Sequence, residues 1–195
     1  CFNSPYFDVL MAQVEEVVRK FMPIGIFLDI VNERTCYCDN CKRLAKKLGM
    51  STEEDATFVE LGKITYKKYY DKVREIATAI KPDIKIFHNG GHILAGRREL
   101  AHANTHLELE SLPTGGWGYD HFPLSSAYVR SLKNTEFLGM TGKFHRSWGE
   151  FGAFKYKAAL KYEAAQCLAL DAGFCVGDQM HPSAFVDAYT YESIG

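Results

Sequence analysis

Three cysteines fall within six positions of the sequence, at Cys36, Cys38 and Cys41. Thiolates this close repel one another unless a cation lies between them, and structural zinc sites commonly contain four thiolates in a tetrahedron. The spacing therefore predicts a structural zinc site that takes its fourth ligand from elsewhere in the chain. Cys1 is the candidate, because it would end a strand beside the Cys36 loop; surface thiols or a disulfide pair are the alternatives.

Carboxylates lie in or directly after apolar segments, at Asp29, Glu33, Glu110 and Glu150. A carboxylate in an apolar strand is costly unless it is paired, so Asp29 is either bonded to loop amides or Arg34, or functional. Glycoside hydrolysis requires two such groups, one protonated and one ionised. The sequence thus predicts a glycoside hydrolase that draws its catalytic pair from these four, each of which salt bridges or solvent exposure would also explain.

Aromatic and hydrogen-bonding side chains accumulate in the loops that follow the apolar segments. Flat rings pack against the apolar side of a pyranose, and polar groups bind its hydroxyls. We therefore predict sugar recognition by His88, Asn89, Trp117, Tyr119, His145, Arg146, Trp148, Asp178 and His181, with His121, Lys143, Phe144 and Gln179 as further candidates. Any single residue of these types is more often structural, so the prediction depends on their concentration after the strands.

The elements that position these residues alternate along the chain. Helical periodicity is found in residues 3–23, 51–81, 119–132 and 154–173, and buried-strand composition in residues 24–31, 84–90, 105–111, 136–142 and 174–182. Ser4 is the expected N-cap of the first helix, Ser51 and Glu54 form a capping box, and Gly173 ends the last helix. This alternation predicts an α/β fold with a parallel sheet, in one domain over residues 1–195.

The choice between an open sheet and a closed barrel depends on where the polar residues fall. An open doubly wound sheet carries a glycine-rich phosphate turn after its first strand, which is missing here. Polar residues instead follow every strand, which favours a (β/α)8 TIM barrel. A complete barrel needs about 250 residues. We therefore expect the 195 residues to be a fragment of a longer protein, from about the end of the third strand to the eighth.

Composition narrows the classes of partner. The formal net charge is -1, without the basic excess of a nucleic-acid-binding protein. No apolar run reaches the ~18 residues of a membrane span, and no secretory signal begins the chain. We expect a cytoplasmic protein that binds neither nucleic acid nor membrane.

Longer motifs resemble three groups of glycosidases. The segment "CFNSPYFDVLMAQVEEVVRKF", followed by an apolar strand and "CYCDNC", resembles the family 42 β-galactosidases. That resemblance implies structural zinc on the four cysteines, Glu33 as general acid/base, and a nucleophile near Glu150. The same region with "GIFLDIV" resembles the family 29 α-L-fucosidases, which implies Asp29 as nucleophile. The whole chain, including "LPTGGWGYDHFP" and "GMTGKFHRSWGEFG", is similar to hypothetical glycosyl hydrolases that precede a β-galactosidase-type trimerisation domain.

Together the residues and the resemblances predict a retaining glycoside hydrolase that acts on an oligosaccharide or glycoside. Asp29 would be the nucleophile and Glu110 or Glu150 the acid/base, since Glu33 stands closer to the cysteines than the β-galactosidase pattern has it. We expect zinc, no organic cofactor, and a homotrimer in the full-length protein. There are two alternatives. One is a metal-dependent (amido)hydrolase barrel, which the seven histidines and Asp178 suggest. The other is a carbohydrate-binding barrel without catalysis.

Overall fold

A computed structural model describes residues 1–133 and 135–195. Contacts divide the chain into two compact units, unit 1 (Cys1–Gly90) and unit 2 (Gly91–Gly195). The elements of unit 1 are α1 (Tyr6–Phe21), β1 (Gly25–Leu28), α2 (Asp39–Lys47), α3 (Asp55–Ile80) and β2 (Lys85–His88). Those of unit 2 are α4 (Arg98–His102), β3 (Leu107–Glu110), α5 (His121–Val129), β4 (Phe137–Gly142), α6 (Lys157–Ala169), β5 (Gly173–Gly177) and α7 (Ala188–Ile194). The prediction of one domain over residues 1–195 stays a prediction.

Unit 1 contains one pair of parallel strands and three helices. β1 and β2 are in register from Gly25 opposite Lys85 to Leu28 opposite His88. α1 packs against α3, and Val18, Tyr69, Val73 and Ala77 of these helices are fully buried. Because β1 and β2 are parallel, their carboxyl ends lie at one edge of the unit.

Unit 2 contains three parallel strands in the order β3, β4, β5. Leu107 pairs with Phe137, and Leu138 pairs with Gly173. Along β3 the leucines are buried while Glu108 and Glu110 are half-buried, which is the alternation expected of a strand with one apolar face. The parallel direction brings the carboxyl ends of all three strands to the same edge.

The predicted barrel is wrong. Barrel closure requires every strand to be hydrogen-bonded on both edges. Within the described residues the strands form two separate sheets of two and three strands, so only β4 has a neighbour on each side. Helix–strand alternation correctly predicts parallel pairing, but it does not determine which strands pair or whether the sheet closes.

Several predicted boundaries also shift. The strand expected at residues 24–31 ends at Leu28, and Gly173 opens β5 instead of capping α6. Pro5 is the N-cap of α1, while Ser4 donates its hydroxyl to the carbonyl of Cys1. Helices α2, α4 and α7 are additional, since segments of five to nine residues carry too little periodicity to be recognised.

Helix α3 begins later than its capping box predicts. Glu54 is its N-cap, and Ser51 instead accepts a hydrogen bond from the backbone N–H of Glu53. At 26 residues α3 is long enough to cross a bilayer, but charged side chains recur along it. Within residues 1–133 and 135–195 no helix combines the length and the apolar composition of a membrane span.

Candidate functional site

Four thiols converge in unit 1. The Sγ atoms of Cys1, Cys36, Cys38 and Cys41 all lie within 4.8 Å of one another. Cys1 Sγ is 3.5 Å from Cys41 Sγ and 3.6 Å from Cys38 Sγ. Zinc bound tetrahedrally at ~2.3 Å places its sulfur ligands about 3.8 Å apart. The cluster therefore has the donor set and the spacing of a closed structural zinc site.

Short local elements hold the cysteines. Cys38 is the N-cap of α2, and Cys41 lies in the first turn of that helix with 3% of its surface exposed. Ser4 donates its backbone N–H and its hydroxyl to the carbonyl of Cys1, over 3.1 and 2.7 Å. Asn3 donates its backbone N–H to Cys1 Sγ and its side-chain Nδ2 to Cys41 Sγ, both over 3.4 Å. The cluster thus joins the start of α1 to α2.

The thiols differ in acidity. The backbone N–H of Cys41 lowers the pKa of the Cys38 thiol, whereas burial raises the pKa of Cys41 to about 11. Zinc binds thiolates and releases their protons. Cys41 therefore needs a nearby cation to ionise at neutral pH. A zinc ion would supply that charge and fasten residues 1–4 to the loop before α2, while all four of its positions would be filled by protein.

Asp29 directly follows β1, outside the strand in which the sequence placed it. Its side chain is exposed, and its Oδ1 accepts a hydrogen bond from Asn89 Nδ2 over 2.9 Å. Asn89, directly after β2, is only 4% exposed, and its backbone N–H donates to the Leu28 carbonyl over 2.8 Å. The residue predicted to bind sugar thus orients the residue predicted to be the nucleophile.

The backbone beside Asp29 is strained. Ile30 has a φ of 52°, in the left-handed region that β-branched residues rarely adopt. A hydrogen bond from the Val31 N–H to the Asn89 carbonyl, 3.0 Å long, holds this turn. Such strain costs about 1–3 kcal/mol and clusters at functional sites. An observed outlier next to Asp29 therefore favours a functional role for this turn.

Glu33 and His88 lie away from open surface. Glu33 is half-buried and, after burial and Tyr70, contributes to raising the pKa of Tyr66. His88 is 3% exposed, and the rings of Tyr66, Tyr69 and Tyr70 surround it at centroid distances of 6.3, 5.5 and 6.4 Å. His88 therefore packs in the core of unit 1, a position that suits structural support better than contact with a sugar.

Glu110 ends β3, where it is half-buried. Trp148 donates its indole Nε1–H to Glu110 Oε1 over 2.7 Å. Glu110 also lines a cavity of about 180 Å³ in unit 2, together with His92, His121 and Ser125. A carboxylate at a strand end, beside a cavity and with a fixed donor, has the surroundings expected of an acid/base group.

Three rings cluster next to Glu110. His92, Trp117 and His121 have centroids 4.9 to 5.5 Å apart. The Ser111 hydroxyl oxygen lies 3.2 Å from His121 Nδ1. Burial of the His121 ring, together with the nearby His92, lowers the pKa of His121. The lowered pKa favours the neutral form of His121, in which the other ring nitrogen can accept or donate a hydrogen bond. The sequence did not single out His92 or Ser111, although His92 follows a predicted strand and Ser111 is the last residue of another.

Glu150 belongs to the loop of residues 143–155. Its Oε2 accepts a hydrogen bond from the Arg146 backbone N–H over 2.8 Å, so the carboxylate closes its own loop. The His145 carbonyl accepts a hydrogen bond from the Thr114 hydroxyl. Arg146 is exposed and His145 is half-buried. This loop is ordered by its own polar groups, which explains Glu150 without a catalytic role.

The remaining predicted sugar-binding residues are distributed over the surface of unit 2. Asp178 forms an ion pair of 3.0 Å with Lys143. Tyr119 packs edge-on against Tyr162 with centroids 5.3 Å apart, and burial raises its pKa. His181 is exposed and packs against Phe185 at 4.3 Å. Their roles in sugar recognition stay predictions.

A buried ion pair lies in unit 2 where the sequence predicted none. Lys155 is fully buried, and its Nζ lies 2.8 Å from Glu163 Oε2 and 2.5 Å from the Thr141 hydroxyl. Burial lowers the pKa of Lys155, while Glu163 opposes the shift. A lysine in a polar loop is expected to be exposed to solvent, so the sequence carries no signal that Lys155 is buried and paired. The pair fastens the end of the 143–155 loop to α6.

The chain is similar to a protein of solved structure. No protein-family model and no curated protein matches the chain. The structure of alpha-L-fucosidase isoenzyme 2 from Paenibacillus thiaminolyticus is 52% identical to it, with a TM-score of 0.95. The match covers 100% of this chain and 29% of that chain. The chain thus spans less than a third of the length of that fucosidase.

Proposed function

We propose that the chain is part of a glycoside hydrolase, and more specifically of an α-L-fucosidase. The observation that carries the proposal is the 52% identity to an α-L-fucosidase over the whole chain. The strained turn after β1 supports it, because it presents Asp29, which the fucosidase resemblance makes a nucleophile. A β-galactosidase is the second candidate, supported by the four-cysteine cluster that the sequence shares with that group.

Asp29 attacks the anomeric carbon in the first step, and the bond to the leaving oxygen breaks. Asn89 holds Oδ1, so Oδ2 is the attacking oxygen. The product of this step is a glycosyl ester of Asp29, which water then hydrolyses with overall retention of configuration. Retention follows from the resemblance to two retaining families.

Glu110 donates a proton to the leaving oxygen in the first step and removes a proton from water in the second. Its position at the end of β3 beside a cavity supports this role. Glu150 is the weaker candidate, because its carboxylate closes its own loop. Glu33 is weaker still, since it stands next to the buried Tyr66.

The decisive measurement is hydrolysis of nitrophenyl α-L-fucoside by the full-length protein, with nitrophenyl β-galactoside as the comparison. We expect the fucoside to be cleaved and Asp29→Asn to reduce kcat by about 1000-fold or more. Unchanged turnover in Asp29→Asn would remove Asp29 from the mechanism. Sugar binding without turnover in the parent protein would support the carbohydrate-binding alternative.

The proposed cofactor is structural zinc on the four cysteines. The metal-dependent hydrolase alternative has no such support: within the described parts of the chain, this cysteine cluster is the one group of three or more ligating side chains placed to hold a metal. The proposed substrate is a glycoside or oligosaccharide. The proposed homotrimer rests on the resemblance alone, and sedimentation of the full-length protein measures it.

A further inference from the structure

The hydrogen bond between Trp148 and Glu110 can run in one direction only. An indole N–H can only donate, so Glu110 Oε1 must be an acceptor in the 2.7 Å hydrogen bond. Trp148 therefore restrains the Glu110 carboxyl group through Oε1. Trp148 is 38 positions away in the sequence, so the two residues meet only through the packing of the 143–155 loop.

Two glycines, Gly142 and Gly177, leave the space that the Trp148 indole occupies, which we call its seat. A Cβ on Gly177, the last residue of β5, would lie 2.6 Å from Trp148 Cη2, and one on Gly142, the last residue of β4, would lie 2.9 Å from Cζ3. Neither glycine has a left-handed backbone. Glycine is therefore required at these two strand ends for space, and the space is filled by Trp148.

The loop that carries Trp148 is closed at its base. Phe144 and Phe154 form an antiparallel bridge, and the Lys155 N–H donates to the Lys143 carbonyl over 2.7 Å. The Phe144 ring packs edge-on against the indole with centroids 5.6 Å apart. The indole thus contacts two strand ends and the Phe144 ring, and its N–H is directed at the Glu110 carboxyl group.

We propose that Trp148 is a positioning residue: seated on Gly142 and Gly177, its N–H orients the Glu110 carboxyl group toward the leaving oxygen of the substrate. This inference rests on the proposed acid/base role of Glu110. Trp148 then orients a carboxyl group of the protein, whereas the sequence predicted that Trp148 binds the sugar.

Two variants of the full-length protein test the proposal. Trp148→Phe keeps a ring on the seat but removes the donor, and Gly177→Ala pushes an unchanged indole off its seat. Gly152→Ala is the matched control, because it also replaces glycine by alanine, in the loop that carries Trp148, with nothing within 4 Å of the new Cβ. The substrates are methyl α-L-fucoside, whose leaving oxygen needs a proton, and a chloronitrophenyl α-L-fucoside, whose leaving oxygen does not.

Loss of orientation should affect only the protonation step. For Trp148→Phe and Gly177→Ala we expect kcat/KM for the methyl glycoside to fall by about tenfold, the size expected for one lost hydrogen bond to a neutral carboxyl group. For the activated glycoside it should fall by less than about threefold, and the inhibition constant of free L-fucose should not change. Gly152→Ala should behave as the parent.

Three results overturn the proposal. Equal losses on both substrates would show a general structural role, a weakened inhibition constant for L-fucose would show that Trp148 binds the sugar, and unchanged kinetics would show neither role. Glu110→Gln separates this inference from the proposed function. If Glu110→Gln leaves the methyl glycoside reaction intact, the acid/base assignment fails; if Glu110→Gln abolishes it while Trp148→Phe does not impair it, only the positioning role fails.

Discussion

Asn89 Nδ2 donates a 2.9 Å hydrogen bond to Asp29 Oδ1, and this bond joins two residues 60 positions apart. Each residue directly follows one of two paired parallel strands, β1 and β2. Asn89 is buried and Asp29 is exposed. A rigid donor thus orients a carboxylate that faces solvent, which is the arrangement a nucleophile requires.

Replacing Asn89 by Ala should release the Asp29 carboxylate. We expect kcat for nitrophenyl α-L-fucoside to fall by about tenfold, because one hydrogen bond to a charged group is lost. The matched control is Asn104→Ala, which removes an amide hydrogen bond of 3.2 Å to the Leu100 carbonyl. Equal loss of turnover in both variants would show that stability, and not orientation, is affected.

Replacing Ile30 by Gly should stabilise the protein. Glycine adopts a φ of 52° without strain, and the Ile30 side chain is 69% exposed, so little packing is lost. We expect a gain of about 0.5–1 kcal/mol in the free energy of unfolding, measured by urea denaturation. Ile24→Gly is the control: Ile24 is 84% exposed and its backbone is not left-handed. Destabilisation of both variants would contradict the assignment of strain to Ile30.

The cysteine cluster should hold one zinc ion per chain. Elemental analysis of the purified full-length protein measures the metal directly. Cys41→Ser removes the buried ligand and should lower both the zinc content and the thermal midpoint of unfolding. Cys175→Ser changes a half-buried thiol outside the cluster and should leave the zinc content unchanged. A parent protein free of zinc after expression in zinc-supplemented medium would contradict the assignment.

Replacing Lys155 by Met should strongly destabilise unit 2. Glu163 would be left as a buried charge with its cationic partner removed, at a cost of about 3–5 kcal/mol. The double variant Lys155→Met, Glu163→Gln should recover part of that loss, and denaturant unfolding of all three proteins measures the coupling. Lys67→Met, which breaks an exposed pair with Asp71, should change stability little. A double variant no better than Lys155→Met would show that the charge is not the cause.

Stability should decrease at alkaline pH because of the tyrosine cluster. Burial raises the pKa of Tyr66 and Tyr69. Unfolded tyrosines lose their protons near pH ~10, while these two keep theirs when folded, so the folded state binds more protons and stability falls as pH rises through ~10. Unfolding free energies measured from about pH 8 to 11 should fall less steeply for Tyr69→Phe. The exposed Tyr191 provides the control: Tyr191→Phe should follow the parent curve.

The sequence by itself determined most of the local elements and the members of the cysteine cluster. Periodicity and β-branched composition report burial over a few residues, so helices and strands were found in alternation, and the strands pair in parallel. The cysteine spacing and the position of Cys1 before the first helix were enough to predict all four members of the cluster, because three of them lie within six residues and the fourth opens the adjoining αβ segment.

Only the tertiary structure decided the sheet topology and the partners of the candidate catalytic residues. The described residues form two sheets where one barrel was expected, because pairing depends on which strand edges meet, and periodicity carries no information on edges. His88 is inside a ring of tyrosines, and Trp148 donates to Glu110. These contacts join residues that are distant in the sequence. Their geometry is set by packing, which no local pattern of residue types encodes.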